Sequence, residues 1–251
     1  MKKLLVFAFL FISIFCSAQE ITVAAAADLQ FAFQDIAARF QKETNHPVKL
    51  TFGSSGNFFS QIQNGAPFDV YFSADIDYPK RLESAGLAEP GTLYEYATGK
   101  IVLWARSGTK VEVGKGLQAL LDSSVNKIAI ANPEHAPYGR AAVAAMKHEN
   151  IYDKVSSKLV LGENISQTAS LVVSGGADVG IIALSLAVAP TMKTKGQYAE
   201  IPTDKYPAIQ QAAVVLKSSQ NKEVAKQFMA YLKTQAIQAI LHDYGFTLPA
   251  K

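Results

Sequence analysis

The chain is expected to fold as α/β in two lobes, on three observations. Short β-branched or aromatic runs alternate with amphipathic helical stretches along its length, which is the pattern of strands covered by helices. Two stretches, around Ala97-Thr98-Gly99 and between Pro202 and Pro207, read as crossings from one lobe to the other, and neither has the composition of a flexible linker. The 251 residues are 49% hydrophobic, enough to bury two cores. The expected organisation is a leader over 1–18 and the first part of lobe 1 over 19–99. Lobe 2 follows over 100–202, and 203–251 form a return crossing with C-terminal helices that complete lobe 1.

The N-terminus carries Lys2-Lys3, an apolar run from Leu4 to Phe15, then Cys16-Ser17-Ala18, the layout of a cleaved secretory signal. The apolar run is short for a membrane span, so a soluble periplasmic protein is expected. Acylation of Cys16 is the lesser alternative, because the bulky Phe15 stands where a small residue is wanted. Cleavage after Ala18 would remove the single cysteine, leaving neither a disulfide nor thiol chemistry. The formal charge of +3 owes two units to Lys2 and Lys3, and there is no basic run. Nucleic acid is therefore not an expected partner, and a monomer is.

Strands are expected at Ile21–Ala25, Val48–Phe52, Asp69–Ser73, Lys100–Ala105, Lys127–Ala131, Lys158–Leu161 and Val179–Ala183, with a further one at Ala212–Leu216. The helix after the first strand sets Leu29, Phe33, Ile36, Ala37 and Phe40 on one face and Gln34, Asp35, Arg39 and Lys42 on the other, so that face packs on a sheet. Near the C-terminus Asn221 opens a helix through Ala225, Phe228, Met229 and Leu232. A second helix carries Ile237, Ile240 and Leu241 and stops at Gly245. No internal repeat is visible.

Three segments sit where a strand runs into a helix: Ala24–Leu29, Phe52–Asn57 and Asn132–Gly139. A helix start offers unsatisfied N–H groups and the positive end of the peptide dipole, and small or hydroxyl residues there let an anion reach the main chain. Three such cradles at the carboxyl ends of strands, in an exported α/β chain, fit a carrier of a small oxyanion.

The order of AAAADL, FGSSG, GAPFDVYFSAD, NPEHAPYG, a Lys158-Leu159…Glu163-Asn164-Ile165 segment and Tyr244-Gly245-Phe246 resembles the periplasmic molybdate-binding proteins of ABC importers, across essentially the whole mature chain. The most specific strings are Pro133–Gly139 and Gly65–Asp75. The resemblance implies the type II two-lobed periplasmic-binding-protein fold, with molybdate or tungstate as ligand and no cofactor. It also implies a membrane permease with its ATPase as partner. Carried over by position, it places ligand contacts at Asp28, Ser55, Tyr138 and Ile165, with Ala27, Ser54 and Ala183 as weaker candidates. Two positions depart from the family: Asp28 stands where a serine is usual, and Ala183 where a tyrosine hydroxyl is usual. Tyr138, where a branch of the family also has tyrosine, is a candidate to supply the missing hydroxyl.

An ionised Asp28 about 4 Å from a dianion would be opposed by roughly 8 kcal/mol at an effective dielectric near 20, more than one or two hydrogen bonds return. Three arrangements avoid this: the carboxylate caps the following helix and only its N–H meets the ligand, it is protonated on binding, or it takes a proton from a protonated ligand. Capping requires least, since aspartate is a favoured N-cap residue. Of the remaining polar residues, Arg140 reads as a solvated helix position and His135 as a hydrogen-bonded structural group. His46, His148 and His242 form no ligand-spaced cluster with His135, and Asp69 and Asp75 are expected to organise turns. Binding of sulfate or phosphate on the same fold is the alternative function. A periplasmic hydrolase is the more distant one, because Gly53–Gly56 is not a G-x-S-x-G elbow, no base is assignable to Ser55, and neither a P-loop nor an H-E-x-x-H helix is present.

Overall fold

The structure is a computed structural model that describes residues 19–249; the leader and Cys16 readings fall outside the described residues. In chain order it runs through β1 (Ile21–Ala26), α1 (Gln30–Thr44), β2 (Val48–Gly53), α2 (Ser55–Gln63), β3 (Val70–Ser73), α3 (Asp77–Ser84), β4 (Tyr94–Gly99) and β5 (Ile101–Arg106). It continues with β6 (Ile128–Ala131), α4 (Pro137–His148), α5 (Tyr152–Val155), β7 (Leu159–Gly162), α6 (Ile165–Val173), β8 (Val179–Ala183), α7 (Leu184–Ala187) and α8 (Pro190–Lys193). The last elements are β9 (Gly196–Glu200), β10 (Ile209–Val215), α9 (Lys222–Tyr231) and α10 (Gln235–Asp243).

Two five-stranded mixed sheets result, in the orders β2-β1-β3-β10-β4 and β7-β6-β8-β5-β9. In the first, β1 pairs in parallel with β2 and β3, and β10 runs antiparallel to β3 and β4. In the second, β6 pairs in parallel with β7 and β8, and β5 runs antiparallel to β8 and β9. The two orders are the same plan used twice, a repeat of topology that the sequence does not display. In each sheet the fourth strand arrives from the other sheet: Lys100 alone separates β4 from β5, and Ile201–Ala208 separate β9 from β10.

Four expected strands begin one residue later than expected, at Val70, Ile101, Ile128 and Leu159. In each case the charged residue before the apolar run, Asp69, Lys100, Lys127 or Lys158, stays with the loop. Asp69 uses its carboxylate there, accepting from the Thr22 N–H at 2.7 Å and the Ser219 hydroxyl at 2.6 Å. Strand β10 starts at Ile209, earlier than expected, and β4 and β9 were not expected as strands.

The apolar face of α1 lands as its periodicity requires, with Phe33, Ile36, Ala37 and Phe40 buried. Phe33 meets Phe72 and Phe228 edge-on at centroid distances of 4.8 and 6.3 Å, and Phe40 meets Phe228 at 5.0 Å, geometry that favours aromatic pairs beyond their area. This core also takes Ile237 and Leu241 from α10. The opposite face of the same sheet is covered by Phe58, Phe59 and Ile62 of α2. In the second sheet the core forms around fully buried Trp104 and the Ala141, Ala142, Ala145 and Met146 face of α4. Strands β1, β2, β6 and β7 therefore all end on one side of their sheets, each feeding a helical turn, where the two sheets face one another.

Candidate functional site

Four of these strand ends converge on a single small cavity lined by Ala26, Ala27, Asp28, Gly53, Ser54, Ser55, Ala74, Ala136, Pro137, Tyr138 and Ile165, with an empty volume of about 200 Å³. Only about 10 Å³ of it is open to the centre of a water-sized sphere, far below the range usual for organic ligand pockets. Six of the seven residues singled out by sequence meet here. Ser55 and Ile165 are first residues of α2 and α6, and Tyr138 is the second residue of α4. Their N–H groups have no carbonyl one turn earlier in the helix to bond to, so the cavity lies at three positive dipole ends at once. Ala27 and Asp28 belong to a single 3-10 turn, Ala27–Leu29, that joins β1 to α1.

The side chains are held from behind. Tyr71 donates to the Ser55 carbonyl at 2.7 Å, and the Ser55 hydroxyl accepts from the Ala74 N–H at 2.9 Å, which leaves the hydroxyl proton for another acceptor. Ser54 Oγ and His135 Nδ1 are 2.9 Å apart across the two sheets, and His135 Nε2 lies 3.6 Å from Glu163. His135 is thus a hydrogen-bonded residue as expected, and the Gly56 N–H donates to its carbonyl at 2.9 Å. A Cβ on Gly56 would stand 2.8 Å from that carbonyl oxygen, so this approach of the two halves requires glycine.

Asp28 departs from the capping arrangement. Its side chain makes no cap hydrogen bond. Instead Oδ2 accepts from the Tyr138 hydroxyl at 2.9 Å and from Gln211 Nε2 at 2.7 Å. Gln211 also donates to the Tyr138 oxygen at 2.9 Å, and its carbonyl accepts from Tyr96 at 2.7 Å. The carboxyl is 1% exposed, Oδ1 has no partner, and desolvation pushes its pKa up to about 6 against the lowering effect of the Gln211 and Tyr138 hydrogen bonds. The Tyr138 hydroxyl thus donates to Asp28 from a residue that also lines the cavity. Ala183 itself is fully buried at the end of β8 and does not line the cavity; two residues on, Ser185 donates to the Asp28 carbonyl at 2.8 Å.

Residues 21–247 match the family model of bacterial extracellular solute-binding proteins. The chain belongs to that family. Among its relatives, the molybdate-binding protein ModA of Rhodobacter capsulatus is 38% identical over 230 residues, which cover 92% of this chain and 89% of that protein. The solved periplasmic molybdate-binding protein of Azotobacter vinelandii superposes with a TM-score of 0.86 at 36% identity, covering 92% of this chain and all of that one. The sulfate-binding protein SubI of Mycobacterium tuberculosis shares the fold with a TM-score of 0.75 at 16% identity, covering 92% of this chain and 87% of that one.

Four site features of this solute-binding protein escaped the sequence. Gln211, Tyr96 and Ser185 buttress Asp28, and Arg140, expected on a solvated face, pairs with Asp75 across the sheets. Gln211 did carry a signal, an amide inside the apolar run Ile209–Val215. The Arg140–Asp75 pair carried none, since 65 residues separate partners that meet only when the sheets face each other. Asp75 also organises a turn as expected, its Oδ1 accepting from the Asp77 N–H at 2.9 Å. Among the described residues no group of three or more His, Cys, Asp or Glu is placed to hold a metal, and no helix is long and apolar enough to cross a membrane.

Proposed function

We propose that this protein captures molybdate, or the equally charged and similarly shaped tungstate, between two lobes and delivers it to an ABC import permease in the membrane. Lobe 1 is assigned to 19–99 with 203–251 and lobe 2 to 100–202, so that Asp28 and Ser55 come from one and Tyr138 and Ile165 from the other. The observation that carries the reading is the convergence of first-turn N–H groups with the Ser55 hydroxyl on one small cavity. Neutral donors spread the charge of a dianion without a counter-ion, and a rigid cage discriminates by size where charge cannot. The likeness to the Rhodobacter and Azotobacter proteins over nearly the full chain supports molybdate in particular.

The protein acts here as a monomeric periplasmic carrier after removal of its leader, binding no nucleic acid and catalysing no reaction. The Ser54–His135–Glu163 series has the residue types of a hydrolytic triad, but it lies against a cavity with only about 10 Å³ open to the centre of a water-sized sphere, and Ser55 has no base. Calorimetric titration against molybdate, tungstate, sulfate and phosphate tests the proposal. Molybdate and tungstate should bind far more tightly than the other two, and Ser55→Ala should weaken them by about 1–3 kcal/mol, the range of a hydrogen bond to a charged group. Tighter binding of sulfate or phosphate would refute it.

A further inference from the structure

We infer that the anion-bound site holds one proton on Oδ1 of Asp28, so that this protein takes up a proton together with its dianion. The inference rests on the oxyanion reading above.

The hydrogen-bond directions assign the position of the proton. Tyr96 donates to the Gln211 carbonyl, which turns the amide NH₂ toward Tyr138 and Asp28. One amide hydrogen goes to the Tyr138 oxygen, so the Tyr138 proton in turn goes to Asp28. Oδ2 therefore accepts two hydrogen bonds and has no role as a donor. Oδ1 is buried without a partner on a residue that lines the cavity. Unprotonated, it would set a bare negative oxygen beside a dianion; protonated, it becomes one more O–H donor aimed at the ligand. The proton comes from solvent, an O–H bond forms on Oδ1, and no other bond changes.

The surroundings offer no substitute. Facing the carboxyl are Tyr138 from α4, Gln211 from β10 and, through that amide, Tyr96 from β4, while Ser185 from α7 holds the Asp28 carbonyl. Tyr71 of β3 is turned to the Ser55 carbonyl. Burial raises the pKa of all three tyrosines above the ordinary value, so they stay neutral. Among the described residues no cation pairs with Asp28; Arg140 pairs with Asp75, and His135 with Ser54 and Glu163. Even before an anion arrives, burial brings Asp28 to a pKa of about 6, and a dianion alongside raises it further.

Titration of sodium molybdate into the purified protein at pH 7–8, in buffers of different ionisation enthalpy, reads the proton directly. The expected result is uptake of close to one proton per molybdate, with affinity falling about tenfold per pH unit in this range. In Asp28→Asn the amide carbonyl can replace Oδ2 and the NH₂ the protonated Oδ1. That variant should exchange no proton and bind more tightly than the wild type at pH 8. Tight molybdate binding without proton uptake overturns the inference and leaves the proposed function standing. Uptake that persists in Asp28→Asn and disappears in His135→Gln overturns it in favour of the imidazole. Absence of molybdate binding at every pH overturns both.

Discussion

Asp28 sits where a helix cap was expected, yet its carboxyl turns back into a buried network with Tyr138, Gln211 and Tyr96. Local propensity alone favours the cap, worth about 1 kcal/mol. Two donors in a dry environment outweigh it, since hydrogen bonds to a charged group contribute roughly 1.5–3 kcal/mol each. Both donors come from residues more than 100 positions away, so the outcome could not be read locally. Burial has a cost that pH reveals. The pKa rises from 3.8 to about 6, so between those values the folded anion-free protein binds more protons than the unfolded chain. Stability from this group therefore falls as pH rises through that window, and the loss, about 3 kcal/mol at 1.36 kcal/mol per unit, is complete above it. Asp28→Asn is predicted to gain about that much more stability over the wild type at pH 7 than at pH 4 in denaturant melts. A gain equal at both values would contradict the assignment.

At the scale of elements, the site is made by helix starts. Each parallel strand that ends at the cleft delivers its chain into a first turn whose leading N–H groups have no carbonyl partner within the helix, and α4 reaches its place because Gly139 lets it lie against β6, where a Cβ would stand 2.0 Å from the Ala131 carbonyl oxygen. Gly99 performs the same service at the crossing, where a Cβ would stand 2.1 Å from the Tyr138 hydroxyl. Strand assignments followed from periodicity at most buried apolar runs, as did those of α1, α9 and α10. Strand β9, Gly-Gln-Tyr-Ala-Glu, escaped because an edge position leaves most of it exposed and asks for little apolar content. Strand β4 escaped because its glutamate and threonine break the apolar run. The helix starts also carry polar links between the sheets: Arg140 of α4 to Asp75, Asn57 of α2 to Glu163, and Ser166 of α6 to Gln30. Arg140 and Asp75 keep 40% and 22% of their side-chain exposure, so their coupling is that of a screened pair, about 0.2–1 kcal/mol. A double-mutant cycle of Arg140→Ala and Asp75→Ala on molybdate affinity should return a coupling of that size that shrinks in high salt. A coupling of zero at low salt would remove the pair from closure.

For the whole molecule, two sheets of one plan are joined by two short crossings, an arrangement suited to rigid-body closure about a hinge. Small-angle scattering should show a smaller radius of gyration on adding molybdate. At a hundredfold excess over Kd the same ligand should add about 2.7 kcal/mol to stability in denaturant melts. Unchanged dimensions with tight binding would exclude a closing trap. The sequence by itself determined the α/β class, the placement of most buried strands and of helices α1, α9 and α10, and the backbone cradles, because periodicity and helix-start chemistry are properties of neighbouring residues. It also marked six of the residues that meet at the cavity. Only the tertiary structure decided how Asp28 is held, that the Tyr138 hydroxyl donates to Asp28, and that Ala183 lies outside the cavity. It likewise decided the repeated topology and the pairing of Arg140. These depend on which distant donors a fold brings within 3 Å of an acceptor, and a hydrogen bond acts over that distance whatever the separation along the chain.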